Sequence, residues 1–174
     1  MKHIQSLIAV ALALTGASAF AQTSNMGVSA TINGICTVVA NPLAFSVYDP
    51  LATNPLNGSS TAVITCTTGA GASLAMDIGT NATGSGATAQ RRMRVGSTTS
   101  YLSYDIYQPA SATEGASCAY TTAWGDGTTG GAALAIGAAP SATSRTYNVC
   151  GRIPALQASP IGSYVDTVVV TANL

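Results

Sequence analysis

Short runs of Val, Ile, Thr and Tyr, separated by Gly, Pro, Asn and Ser roughly every ten residues, set the pattern of this chain and predict strands with no long amphipathic helix. Candidate strands fall at 26–39, 44–47, 61–67, 73–78, 93–95, 100–108, 132–136, 145–153 and 164–173. That set suits an all-β sandwich of two antiparallel sheets. The intervening stretches 49–60, 79–89 and 110–131, rich in small polar residues, read as loops. In 100–108 the alternation is strand-like on either parity, so which face turns inward is left open. No fixed-period repeat and no shift in composition marks a second domain.

The last of these strands organises the rest. Split by parity, one face carries Tyr164, Asp166, Val168, Val170, Ala172 and Leu174, and the other carries Val165, Thr167, Val169, Thr171 and Asn173. The even face is the better core face. A bare apolar strand leaves unpaired N–H and C=O groups that template association, so this edge is expected to be covered by something.

At the other end, residues 1–21 read as a secretory signal: Lys2 and His3 supply the positive start, 4–14 is mostly apolar, and Ala19-Phe20-Ala21 fits the small-x-small cleavage rule. The apolar run is shorter than the roughly 20 residues that a membrane span needs. Removing 21 of the 174 residues leaves 153, enough for one domain with a core. The new start also alternates, with Met26, Val28, Ala30 and Ile32 on one parity and Gly27, Ser29, Thr31 and Asn33 on the other. Two readings fit it: the domain's own first strand, or a segment to about Ala30 that fills a groove, with Ile32 onward belonging to the strand.

Export changes the available chemistry. The mature chain has no His and no Lys; its cations are Arg91, Arg92, Arg94, Arg145 and Arg152, and its anions are Asp49, Asp77, Asp105, Glu114, Asp126 and Asp166. With a net charge of about minus one, no strong field points to nucleic acid or anionic lipid. The local exception, Arg91-Arg92-x-Arg94, reads as a solvated turn. Without histidine the Ser-His-Asp and Cys-His arrangements are excluded, and no Gly-rich phosphate loop or cofactor motif is present. Cys36, Cys66, Cys118 and Cys150 form an even set in an exported chain, which reads as two disulfides and not as a zinc site. Three connectivities are open. Sequential pairing closes two loops of similar length, each worth about 3 to 4 kcal/mol on the chain-entropy model.

Phe45-Ser46-Val47-Tyr48-Asp49-Pro50 resembles the F-G-x-Y-D-P signature of spore-coat-protein-U-type domains, and Arg92-Met93, Leu102-Ser103-Tyr104-Asp105-Ile106-Tyr107 and Gly162-Ser163-Tyr164-Val165-Asp166-Thr167-Val168 look like that family's later blocks. The resemblance runs over nearly the whole mature chain. Ser46 stands where the family usually has Gly, and Cys118 and Cys150 are absent from some members. The resemblance implies an archaic chaperone–usher pilus subunit: an incomplete immunoglobulin-like sandwich, carried through the periplasm by a chaperone, passed through an outer-membrane usher, and joined to identical or related subunits by donor-strand complementation. In this expectation 22–31 is the donor, with Met26, Val28 and Ala30 as its inward side chains. The domain is 32–174, and Val168, Val170, Ala172 and Leu174 wall the acceptor groove. The pilus then supports surface attachment and biofilm formation, with no cofactor and no catalysis.

Two other classes compete. A lectin-like module or tip adhesin would use Trp124 and the 110–131 loop to stack on a sugar, although a tip adhesin usually carries a further receptor-binding domain for which 153 of the 174 residues leave no room. A glycosidase would need two acids converging in one cleft. For Trp124-Gly125-Asp126-Gly127 the sequence favours a packed tryptophan followed by a D-G turn.

Overall fold

The computed structural model describes residues 20–174; the predicted signal, 1–21, lies almost wholly outside them. The compact unit starts at Ile32 and ends at Leu174. Residues 20–31 fall outside it, have no regular secondary structure and are exposed at every position.

Ten strands form the compact unit: β1 Cys36–Ala40, β2 Leu56–Cys66, β3 Ala72–Met76, β4 Arg91–Val95, β5 Tyr101–Pro109, β6 Cys118–Ala123, β7 Leu134–Ile136, β8 Arg145–Ile153, β9 Tyr164–Val165 and β10 Val170–Asn173. The larger sheet runs β1-β2-β8-β5-β4-β9 with β6 also on β5, and the smaller runs β10-β3-β7. All the strand pairs are antiparallel. Leu102, Tyr104 and Ile106 of β5 turn inward, which resolves the open parity, and meet Ile64, Tyr147 and Val149 of the same sheet and Leu74, Met76, Leu134 and Ile136 of the other.

Several elements differ from the sequence reading. The expected strand 26–39 shrinks to β1, whose start is set by the Cys36–Cys66 disulfide between facing residues of β1 and β2. The second disulfide joins Cys118 to Cys150, so the pairing is sequential. Half of β2 lies in the stretch read as a loop: Asn57-Gly58-Ser59-Ser60 carries turn composition, yet β8 pairs with it residue by residue from Leu56↔Ile153 to Ile64↔Arg145. Residues 44–47 form no strand. Strand β6 lies inside the expected 110–131 loop and holds Tyr120 at φ 55, a left-handed conformation that composition does not announce for a tyrosine. The C-terminal strand is two pieces, β9 on β4 and β10 on β3, with residues 166–169 crossing between the sheets.

The arginine cluster is not a solvated turn. Arg91 lies in β4 and is 3 % exposed. Its Nε and Nη2 donate to the carbonyl of Asp77, and Nη2 also donates to those of Met76 and Trp124, so one guanidinium closes the ends of β3 and of the Trp124 turn. Burial lowers its pKa, opposed by the nearby Tyr104 and Asp77. The Arg92 guanidinium carbon stands over the Tyr101 ring, 4.0 Å from its centroid, and Nε donates to Asn81 O. Arg91→Met is expected to destabilise the fold by about 3 to 5 kcal/mol, because three carbonyls lose their shared donor, and urea unfolding monitored at Trp124 measures it.

Trp124 is fully buried, and its Nε1 donates to Leu74 O at 2.8 Å. It presents no face on which a sugar could stack, which removes the residue the lectin reading depended on.

A groove between two sheet edges

Strands β1 and β10 are the last strands of their sheets on the same side, and they lie within 8 Å of each other between Cα atoms without pairing. Among the described residues β1 hydrogen-bonds only to β2, and β10 only to β3. The sandwich therefore ends here in two strand edges instead of closing.

Beyond Ala40 the chain leaves the sheet, and its next apolar side chains turn back over it. Gly58 and Gly151 face each other across β2 and β8. A Cβ on Gly58 would stand 2.9 Å from Phe45 Cδ1, and one on Gly151 would stand 2.7 Å from Phe45 Cζ and 2.6 Å from Leu43 Cδ2. The glycine pair is thus a seat for Phe45 and Leu43. The Phe45 ring meets Tyr104 edge-on, with centroids 6.4 Å apart. Tyr48 fixes the far end of this segment: its hydroxyl donates to Pro154 O and accepts from Gln157 N, each at 2.9 Å. Asp49 Oδ1 accepts from Leu51 N and turns the chain away. These contacts give the Phe45-to-Pro50 signature its physical meaning.

Between this segment and residues 164–170 lies a groove of about 390 Å³. Leu43, Phe45, Met76, Met93, Ile106, Val149, Val168 and Val170 make it mostly apolar, with Asn41 and Asp166 among its polar lining. A second hollow of about 590 Å³ shares Leu43, Phe45, Met93 and Tyr164 with the first, and extends the trough towards Val47 and Ile161. Val47 is 96 % exposed and Ile161 is fully exposed.

Of the residues expected to wall a groove, Val168 and Val170 line it. Ala172 is half-buried against the core, opposite Leu74 in β3, and lies beyond the groove lining. Leu174 is 67 % exposed and takes no part in the lining. The odd positions 165–173 are all exposed. Met26 and Val28 are each 85 % exposed, and Ala30 is exposed as well. Sequence reasoning missed Leu43, Phe45 and Met93. The signal for the first two was a glycine in each of two strands that become neighbours, which is legible only once β2 and β8 are paired.

The acids that touch this region are structural. Asp77 Oδ1 accepts from Gly79 N and Val169 N, and Asp166 accepts from backbone and side-chain donors of Thr80 and Asn81 and from the Tyr104 hydroxyl. Burial, then the hydrogen bond to Asp166, drives the Tyr104 pKa far above its ordinary value, so its hydroxyl stays a donor. Asp126 is held below the ordinary carboxylate value by the backbone N–H groups of Thr128 and Thr129, which makes it the cap of an exposed turn. Among the described residues no group of three or more His, Cys, Asp or Glu is placed to hold a metal, and no helix is long and apolar enough to cross a membrane.

The architecture is an all-β sandwich of two antiparallel sheets with an apolar groove between residues 40–45 and 164–170. The chain matches the family model of the Spore Coat Protein U domain over residues 22–171, and it belongs to that family. It is 31 % identical over 171 residues to Protein U of Myxococcus xanthus, covering 92 % of this chain and 89 % of that protein. Among solved structures it is similar to a chain of the CsuC–CsuE chaperone–tip adhesion subunit pre-assembly complex from the archaic chaperone–usher Csu pili of Acinetobacter baumannii. The TM-score is 0.57 at 20 % identity, over 83 % of this chain and 41 % of that one, so the fold is shared and the chain spans about two fifths of its neighbour's length.

Proposed function

We propose that the protein is a structural subunit of an extracellular adhesive pilus that polymerises head-to-tail by donor-strand complementation. The observation that carries this reading is the apolar groove between residues 40–45 and 164–170, next to the unpaired edges of β1 and β10, in a chain whose alternating residues 22–31 stand outside the compact unit. Strand addition suits such a groove: backbone bonds to the open edges supply affinity, and pockets for alternate side chains supply register. The occupant is residues 22–31 of a second copy, with Met26, Val28 and Ala30 facing Val168, Val170 and Phe45. A contact of this kind does not close on itself and propagates as a fibre.

The structural neighbour comes from a chaperone–usher pilus system, which supports a periplasmic chaperone as the partner that covers the groove before assembly, and an outer-membrane usher as the exit. On this reading residues 1–21 are the export signal, the mature fibre lies on the cell surface, and it supports attachment and biofilm formation. Electron microscopy of the purified native protein tests the reading: linear polymers that resist SDS are expected, and monomers alone would overturn it.

A further inference from the structure

Asp166 sits where the last strand changes sheets. Val165 still pairs with Arg94 of β4, whereas Val170 already pairs with Met76 of β3. In that crossing Oδ1 of Asp166 accepts from Thr80 N at 3.0 Å, Thr80 Oγ1 at 2.9 Å, Asn81 N at 3.1 Å and Asn81 Nδ2 at 3.0 Å. Its Oδ2 accepts from the Tyr104 hydroxyl at 2.8 Å. Gly79, at φ 78, passes so close to Oδ2 that a Cβ there would collide with it. One carboxylate thus joins β5 of the larger sheet, the connection that follows β3 of the smaller sheet, and the strand that passes between them.

A charged residue here asks for a reason. The other even positions of this segment are uncharged, and an apolar side chain at 166 would add to the groove wall without the desolvation a carboxylate must overcome. The difference lies in directionality. Met76, Ile106, Val149, Val168 and Val170 line an unfilled groove, and burial of apolar area rewards their collapse onto one another as much as it rewards their contact with an incoming strand. Hydrogen bonds of fixed length and angle do not offer that choice. Tyr104, itself 3 % exposed, is held by packing in the larger sheet, and Thr80 and Asn81 lie on the connection that leaves β3, so the bonds through Asp166, which lines the groove, fix the distance between the two beside it.

We infer that Asp166, together with the Tyr104 hydroxyl, is a positioning device that holds the two sheets apart in the unfilled subunit, so that the groove stays open for the strand of a second copy. This rests on the pilus-subunit reading above. Its action is confined to the unfilled state. Once a donor occupies the groove, its side chains keep the sheets apart and the spacer becomes redundant.

That confinement separates it from an ordinary stabilising contact. Tyr104→Phe, which deletes one hydroxyl, and Asp166→Asn, which keeps the shape, are introduced into the full chain, and two quantities are followed: the growth rate of SDS-resistant polymer and the temperature at which finished polymer dissociates. A spacer predicts growth slowed at least about tenfold, the lower end of what a hydrogen bond to a charged group carries, with an unchanged dissociation temperature. Wild-type growth in both variants, or a lowered dissociation temperature without slower growth, overturns the inference. Should either variant fail to fold, Thr80→Ala, which removes only one of the five bonds described, is read in the same way. If the unsubstituted chain forms no polymer, the pilus reading fails and the positioning role falls with it; polymer from the unsubstituted chain and equally fast polymer from the variants removes the positioning role alone.

Discussion

A chain lacking residues 22–31 is expected to fold with both disulfides formed and to build no fibre. The fold should survive because that segment lies outside the compact unit and is exposed throughout. Assembly should be lost because the groove then has no occupant. Burying the larger donor side chains, Met26 and Val28, contributes about 1.5 to 3 kcal/mol each, and each backbone bond to an open edge adds about 0.5 to 1.5 kcal/mol. A synthetic peptide of residues 22–31 should bind the shortened subunit and raise its melting temperature, as any ligand specific for the folded state does. Size-exclusion chromatography and electron microscopy read the first outcome, and thermal unfolding with and without peptide reads the second. Normal fibres from the shortened chain would remove 22–31 from the joint.

Val170→Asp is expected to abolish assembly just as completely by the opposite route, spoiling the groove and leaving the donor intact. Val170 lines the groove and is half-buried. In the open subunit a carboxylate at this position still reaches water, so the fold should tolerate it. Beneath a donor strand it would be desolvated with no partner, at a penalty of several kcal/mol. Thr171→Asp supplies the control, since Thr171 is exposed on the other face of the same strand and should leave assembly unchanged. Equal polymer yields from Val170→Asp and the unsubstituted chain, measured by SDS-resistant ladders, would show that the even face is not the wall of the joint.

The sequence revealed elements wherever one face of a strand decides its composition. Arg145–Ile153 was legible to the residue because Tyr147, Val149 and Ile153 point into the core from a central strand. The parity of 164–173 was legible for the same reason. Elements whose existence depends on a partner were hidden. Strand β6 rests on β5 and on the Cys118–Cys150 bond more than on its own side chains, and only two of its residues are even half-buried. Asn57 to Ser60 has the composition of a turn, and pairing with β8 overrides it. Gly58 fell in a stretch read as loop and Gly151 in an expected strand, and only their register across β2 and β8 makes the pair the seat of Phe45. Arg91 was misjudged because three backbone carbonyls from two distant segments, which no local window contains, satisfy its charge. Of the groove lining, the sequence therefore pointed to Val168 and Val170, while Ala172 and Leu174 fall outside it and the side built by residues 40–45 was hidden.

The disulfide between Cys36 and Cys66 lies at the start of β1, four residues after the compact unit begins at Ile32. In a fibre joined through residues 22–31, tension on the filament enters each subunit along that short stretch. Strand β1 is an outermost strand, and hydrogen bonds pulled at its end would open one after another. The covalent bond intercepts the load at the first residue of the strand and passes it to β2, which β1 and β8 flank on either side. The anchor point of such a filament would thus move one strand inward, from a peelable border to a strand paired on both sides. Stretching single fibres before and after reduction would measure the difference as a fall in the force at which subunits unravel.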